Sequence, residues 1–172
     1  VESARSNFML CVSDIYIHKN ILALVEALDQ LNRWGLSVNL KIAGAPIDAD
    51  YADTVKRRIK QLSLLNQIDL LGSVSSKNLV ELYQRCCFFV FPSLVETFGN
   101  PLVEAMACGT PIACSNTSAM PEIAGDAAKG VFFTAAYAAA DQRPIAKLFN
   151  EMVMTRYGIH DLQFYPEHSI WV

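Results

Sequence analysis

Cys87-Phe88-Phe89-Val90-Phe91 is the most apolar run of the chain and carries no charged side chain. That is the pattern of a strand buried on both faces, at the centre of a sheet. It leads through the loop Pro92-Ser93-Leu94-Val95-Glu96-Thr97-Phe98-Gly99-Asn100 into a segment expected to be helical over Pro101 to Cys108. Proline in the first turn and Gly109 just past the end give that helix the usual asymmetry of start and stop.

The same alternation extends in both directions. Upstream, Phe8-Met9-Leu10-Cys11-Val12 reads as a buried strand. Asn20 to Trp34 follows, with Ile21, Leu24, Val25, Leu28 and Leu31 at helical spacing. A strand is expected over Val38 to Ala43, a helix over Tyr51 to Leu65, and a short strand over Ile68 to Leu71. Ser75 or Ser76 then caps a helix running to Arg85. Downstream come a strand over Pro111 to Cys114, a short helix near Pro121, a weaker strand over Val131 to Phe133, and a helix over 143–157. From Gly158 onward no period is legible. Strand–helix alternation of this kind predicts an α/β fold, a Rossmann-like parallel sheet flanked by helices on both faces. Ligands of such sheets bind at the carboxyl ends of the strands. That directs attention to the loops after Val12, Ala43, Leu71, Phe91 and Cys114.

Composition narrows the function classes. At 172 residues the chain has room for one ordinary domain, and 52% apolar against 18% charged residues excludes a disordered one. A net charge of -3 argues against a nucleic-acid surface, so any bound phosphate must be held by local groups. No apolar run spans a bilayer, and residues 1–7 do not form a signal peptide. The chain reads as though cut just before its first strand. Cys11, Cys86, Cys87, Cys108 and Cys114 form no Cys-x-x-Cys pair, which disfavours zinc and fits reduced, buried thiols of a cytosolic protein.

The loop after Phe91 carries the chemistry. A helix start at Pro101 offers free N–H groups and a partial positive charge, a natural seat for phosphate. Gly99 lets the backbone approach a ligand closely. Glu96 and Glu104 flank this seat. Two carboxylates repel a phosphate but make strong hydrogen bonds with neutral hydroxyls, such as those of a sugar or a ribose.

The run from Phe91 to Ala128, with Glu96-Thr97-Phe98-Gly99-Asn100-Pro101-Leu102-Val103-Glu104 at its heart, resembles the signature of group 1 (family 4) retaining glycosyltransferases. Those enzymes have two Rossmann-like domains in the GT-B architecture, and their hallmark is two glutamates separated by seven residues. The resemblance extends less specifically over residues 8–157. It implies that residues 1–172 form a single donor-binding domain, one half of a GT-B architecture. It implies transfer of a hexose from a nucleoside-diphosphate sugar with retention of configuration. Glu96 and Lys19 are the catalytic candidates. Phe98, Gly99, Asn100 and Leu102 would hold sugar and diphosphate through backbone amides, Glu104 the ribose hydroxyls, and Gly72, Ser73 and Val74 the base. No metal and no other cofactor is implied. The acceptor, a sugar or a lipid, would belong to an N-terminal domain that the chain lacks, so the isolated chain is expected to transfer no sugar. A cytoplasmic location follows, with peripheral membrane association decided by that other domain.

One departure stands out. The family places Arg and Lys five residues apart after the first strand to neutralise the diphosphate. Lys19 matches the Lys, but the Arg position holds Asp14. Arg5 or His18 would have to compensate for it. With the stretch Ala135-Ala136-Tyr137-Ala138-Ala139-Ala140, Asp14 motivates the alternative of a degenerate nucleotide-sugar-binding or interaction module. Asp48-Ala49-Asp50 matches a metal-binding Asp-x-Asp but lacks its context and reads as loop. Glu122 reads as a helix-start residue.

Overall fold

The computed structural model describes residues 6–125 together with residues 132–133, 164–165 and 170–171. The elements run in the order β1 (Phe8–Val12), a single 3-10 turn (Ile17–Lys19), α1 (Ile21–Arg33), β2 (Asn39–Ala43), α2 (Ala49–Gln61), β3 (Ile68–Gly72), α3 (Ser76–Arg85), β4 (Phe88–Phe91), α4 (Asn100–Ala107), β5 (Ile112–Ser115), α5 (Met120–Ala124) and β6 (Phe132–Phe133). Strands β1 to β6 form one sheet in the order β3-β2-β1-β4-β5-β6, and every pairing is parallel. The expected Rossmann-like sheet is therefore present, with β1 and β4 at its centre.

Alternation along the central strands distributes the core between two layers. Met9 and Cys11 of β1, with Phe88 and Val90 of β4, pack among the apolar residues of α1 and α2. Phe8 and Leu10, with Phe89 and Phe91, pack against Tyr83 of α3, Leu102 and Ala105 of α4, and Met120 and Ala124 of α5. Both faces of both strands are buried, which is why their sequences show no polar alternation. Helix α1 supplies one stripe of seven buried residues from Ile21 to Leu31, the spacing that made it legible.

Element ends shift by a few residues for local reasons. Helix α2 starts at Ala49, two residues before the expected Tyr51, because the Asp48 carboxylate accepts the Tyr51 N–H at 3.0 Å and caps it. It stops at Gln61, short of the expected Leu65, where Ser63 adopts φ 60°. Asp48 thereby takes a capping role within the Asp48-Ala49-Asp50 triplet. The tail contributes β7 (Phe164–Tyr165) and β8 (Ile170–Trp171), an antiparallel pair. Two-residue strands are too short to display a period, so sequence reading misses them. The helix expected over 143–157, the alanine-rich stretch 135–140 and Arg5 lie outside the described residues.

Candidate functional site

Strand order reverses between β1 and β4: the chain leaves β1 toward β2 and leaves β4 toward β5. Crossovers on opposite faces open a crevice at the carboxyl ends of these two strands. The loop after β1 and the loop after β4 line it, and they are bonded to each other. The Leu94 N–H donates to His18 O at 2.8 Å. Asn20 Nδ2 donates to Pro92 O at 3.3 Å. Lys19 Nζ meets Glu96 Oε1 at 2.5 Å, with both side chains largely withdrawn from solvent. Lys19 also stands 6.0 Å over the ring of Phe91. The two catalytic candidates, drawn from separate loops, are thus direct partners.

Serine and threonine side chains after β5 hold the Glu96 loop from its other side. Glu96 N–H donates to Ser118 Oγ at 3.2 Å, and Ser118 Oγ donates to Glu96 O at 2.5 Å. Thr117 Oγ1 donates to Leu94 O at 3.0 Å, and Ser115 Oγ to Ser93 O at 2.5 Å. Ser118 sits at φ 55°, a left-handed conformation that a serine adopts only where its surroundings enforce it. Sequence reading overlooked these residues. The available signal was the polar run Ser115-Asn116-Thr117-Ser118 at the carboxyl end of a buried strand, one of the loops the fold singles out.

Gly99 caps α4 at φ +78°, and a Cβ there would lie 3.2 Å from Phe91 Cε1. The N–H groups of Phe98, Gly99 and Asn100 meet no acceptor among the described residues. The Leu102 N–H is engaged with Gly99 O at 2.9 Å, and the Leu102 side chain is buried. The Leu102 amide is therefore already engaged, unlike those of Phe98, Gly99 and Asn100. Glu104 lies one turn into α4 and is exposed, its Oε2 accepting a hydrogen bond from the Tyr83 hydroxyl at 2.9 Å. Burial raises the Tyr83 pKa, and the neighbouring Glu104 charge adds to the rise, so the phenol stays protonated and donating.

Gly72, Ser73 and Val74 lie apart from this crevice at the end of β3, three strand spacings from β4, roughly 14 Å at about 4.8 Å per step. Ser73 and Val74 line a groove of about 680 Å³ between α3 and the β1–β3 face, shared with Phe8, Lys41, Leu71 and Asn78. Lys19, Glu96 and Glu104 do not line it.

Asp14 is occupied. Its carboxylate accepts the Ala45 N–H at 2.7 Å and ties the loop after β1 to the loop after β2. Ile15 and Ala45 add a backbone bond of 2.8 Å alongside. His18 stacks on Tyr16 at 5.4 Å. Glu122 falls in the first turn of α5 and is exposed. All five cysteines are thiols outside any disulfide; Cys11, Cys86, Cys87 and Cys114 are buried and Cys108 is partly exposed. Among the described residues no helix is long and apolar enough to cross a membrane.

A doubly wound sheet with an ion pair and a helix start at its switch point defines a Rossmann-like domain. The profile of the group 1 glycosyl transferases matches residues 2–156, and the chain belongs to that family. O-antigen chain mannosyltransferase B of Escherichia coli is 48% identical over 60 residues, which covers 35% of this chain and 16% of that protein. O-antigen chain mannosyltransferase RfbU of Salmonella typhimurium is 32% identical over 119 residues, covering 69% of this chain and 32% of that one. The crystal structure of Anabaena HepE in complex with UDP and glucose superposes with a TM-score of 0.74 at 23% identity, over 88% of this chain and 40% of that one. The matched region thus spans about a third or less of these two mannosyltransferases.

Proposed function

We propose that this chain is the donor-binding domain of a retaining glycosyltransferase that moves a hexose from a nucleoside-diphosphate sugar to an acceptor. The observation that carries the reading is the Lys19–Glu96 pair beside the open amides of the α4 start. Alone, Glu96 would repel a diphosphate; paired with Lys19 it does not. The lysine and the helix start then face the phosphates, and the remaining Glu96 oxygen is left for sugar hydroxyls. As the bond from the sugar to the diphosphate breaks, negative charge develops on the leaving phosphate oxygen, where Lys19 and the amides of Phe98, Gly99 and Asn100 stabilise it. These groups supply the positive field without a bound metal. Glu104 takes the ribose hydroxyls, and the base reaches toward Gly72, Ser73 and Val74 at β3. The sheet separation of those two regions suits an extended nucleotide.

The acceptor domain is proposed to lie in a longer protein, consistent with the partial span of the relatives. The mannosyltransferase names of these relatives favour a mannose-type donor, and the UDP in HepE favours a uridine nucleotide; the two are tested against each other. Calorimetry with UDP, GDP and their hexose conjugates, on the wild-type chain and on Glu104→Ala, provides the measurement. Binding that Glu104→Ala abolishes supports the reading; no binding to any of them by the wild-type chain overturns it. A second reading, a binding module that no longer transfers, is favoured by Asp14, whose carboxylate stands on the first loop where the family carries an Arg. Diphosphate binding with no sugar transfer by the longer protein distinguishes it.

A further inference from the structure

Tyr83 is the one buried residue that α3 contributes to the core. Its ring meets Phe89 of β4 edge-on at 5.5 Å, and its carbonyl accepts the Thr110 hydroxyl at 2.7 Å, so both ring and backbone are fixed. Only the hydroxyl reaches beyond the core. It lies 2.9 Å from Glu104 Oε2 and 3.2 Å from Pro101 O, touching α4 at its first turn and at the carboxylate one turn on. Glu104 is exposed on the surface of α4. A glutamate in that situation ordinarily samples several rotamers, and ordering it on binding weakens affinity. A rigid, protonated phenol bonded to Oε2 restricts that freedom and occupies one of the two carboxylate oxygens.

We propose that Tyr83 is a positioning residue for the donor: its hydroxyl fixes the Glu104 carboxylate in the orientation that accepts the ribose hydroxyls. The proposal rests on the reading of Glu104 as the ribose contact. It assigns a ligand-directed role to an α3 residue that never touches the ligand.

Calorimetry with UDP and GDP and with their 2′,3′-dideoxy analogues tests it on the wild-type chain, Tyr83→Phe and Glu104→Ala. The wild-type chain is expected to prefer the ribonucleotide by about tenfold, the weight of one hydrogen bond to a charged group. Tyr83→Phe should reduce that preference severalfold while leaving affinity for the dideoxy analogue within about twofold, since the phenyl ring still fills the core. Equal weakening toward both ligands marks a general loosening of the α3–α4 packing and overturns the proposal, as does an undiminished preference in Tyr83→Phe. If the wild-type chain shows no preference, or Glu104→Ala keeps it, the ribose reading fails and the proposal falls with it. If Glu104→Ala loses the preference and Tyr83→Phe keeps it, only the role of Tyr83 falls.

Discussion

Lys19 and Glu96, 77 positions apart in the chain, meet at 2.5 Å across the point where the strand order of the sheet reverses. Neither residue reveals the other in sequence; the crossover of β1 and β4 brings them together. On the proposed reading, the pair lets a carboxylate stand beside a diphosphate and gives the two side chains separate duties.

That separation is testable. Lys19→Ala is expected to weaken both nucleoside diphosphate and sugar nucleotide by about tenfold or more, and to lower stability by about 1–2 kcal/mol, because Glu96 loses its partner in a partly buried site. Glu96→Gln keeps the shape and removes the charge. It should leave binding of the bare diphosphate unharmed and weaken only the sugar conjugate. Calorimetry on both variants decides, and an equal loss for both ligands in Glu96→Gln would contradict the assigned roles.

Asp14 has a structural duty that its position in the family pattern does not foreshadow. Its bond to the Ala45 N–H at 2.7 Å ties the loops after β1 and β2 together. Asp14→Asn retains an acceptor and should cost under about 1 kcal/mol. Asp14→Arg loses the tie, at about 1–2 kcal/mol in chemical denaturation, but places a cation where the family carries one. Its affinity for nucleoside diphosphate is expected to rise severalfold, more at low salt than at high. An unchanged affinity would remove position 14 from the diphosphate site.

The buried thiols contribute to a loss of stability in alkali. Burial raises Cys11 from an ordinary value near 9 to about 12, and Cys114 likewise to about 12. The native state therefore favours the protonated thiols. Below pH 9 that preference costs nothing, since the unfolded chain is protonated too. Between pH 9 and 12 only the unfolded chain ionises, so stability falls across that window. Replacing both residues by alanine should flatten the fall. In the native protein iodoacetamide at pH 8 should label the partly exposed Cys108 well before these two, as mass spectrometry of the labelled peptides would show.

Much of this fold was legible because its strands are buried on both faces and its helices on one. Phe88–Phe91 and the stripe of α1 announce themselves by composition and period. The loop from Glu96 to Glu104 was legible as a turn into a helix start flanked by two carboxylates, because proline and glycine mark that start. Contacts between distant loops were not legible. Ser118 beneath Glu96, Tyr83 beside Glu104 and Asp14 against Ala45 each depend on which strands are neighbours, and a single sequence carries no register for that. The triplet Asp48-Ala49-Asp50 reads as loop, yet Asp48 caps α2 and Ala49 and Asp50 open it, because a capping carboxylate begins a helix earlier than apolar spacing indicates.

Two glycines around the crevice should differ sharply in their response to a methyl group. At Gly99 the backbone sits at φ +78° and the new Cβ would lie 3.2 Å from the edge of the Phe91 ring. The ring can shift slightly, so Gly99→Ala should cost about 1–2 kcal/mol, mostly from the left-handed backbone. At Gly44 the Cβ would fall 1.9 Å from Ser13 O, a backbone atom in the loop that follows β1. That carbonyl cannot turn away, because the flanking chain is fixed by the Ser13 N–H to Ala43 O bond at 2.9 Å and by the Asp14 tie to Ala45. Gly44→Ala must push the two loops apart, at about 3 kcal/mol or more. Urea unfolding of both variants measures the contrast, and a Gly44→Ala chain as stable as Gly99→Ala would show that the loops after β1 and β2 are not held in close contact.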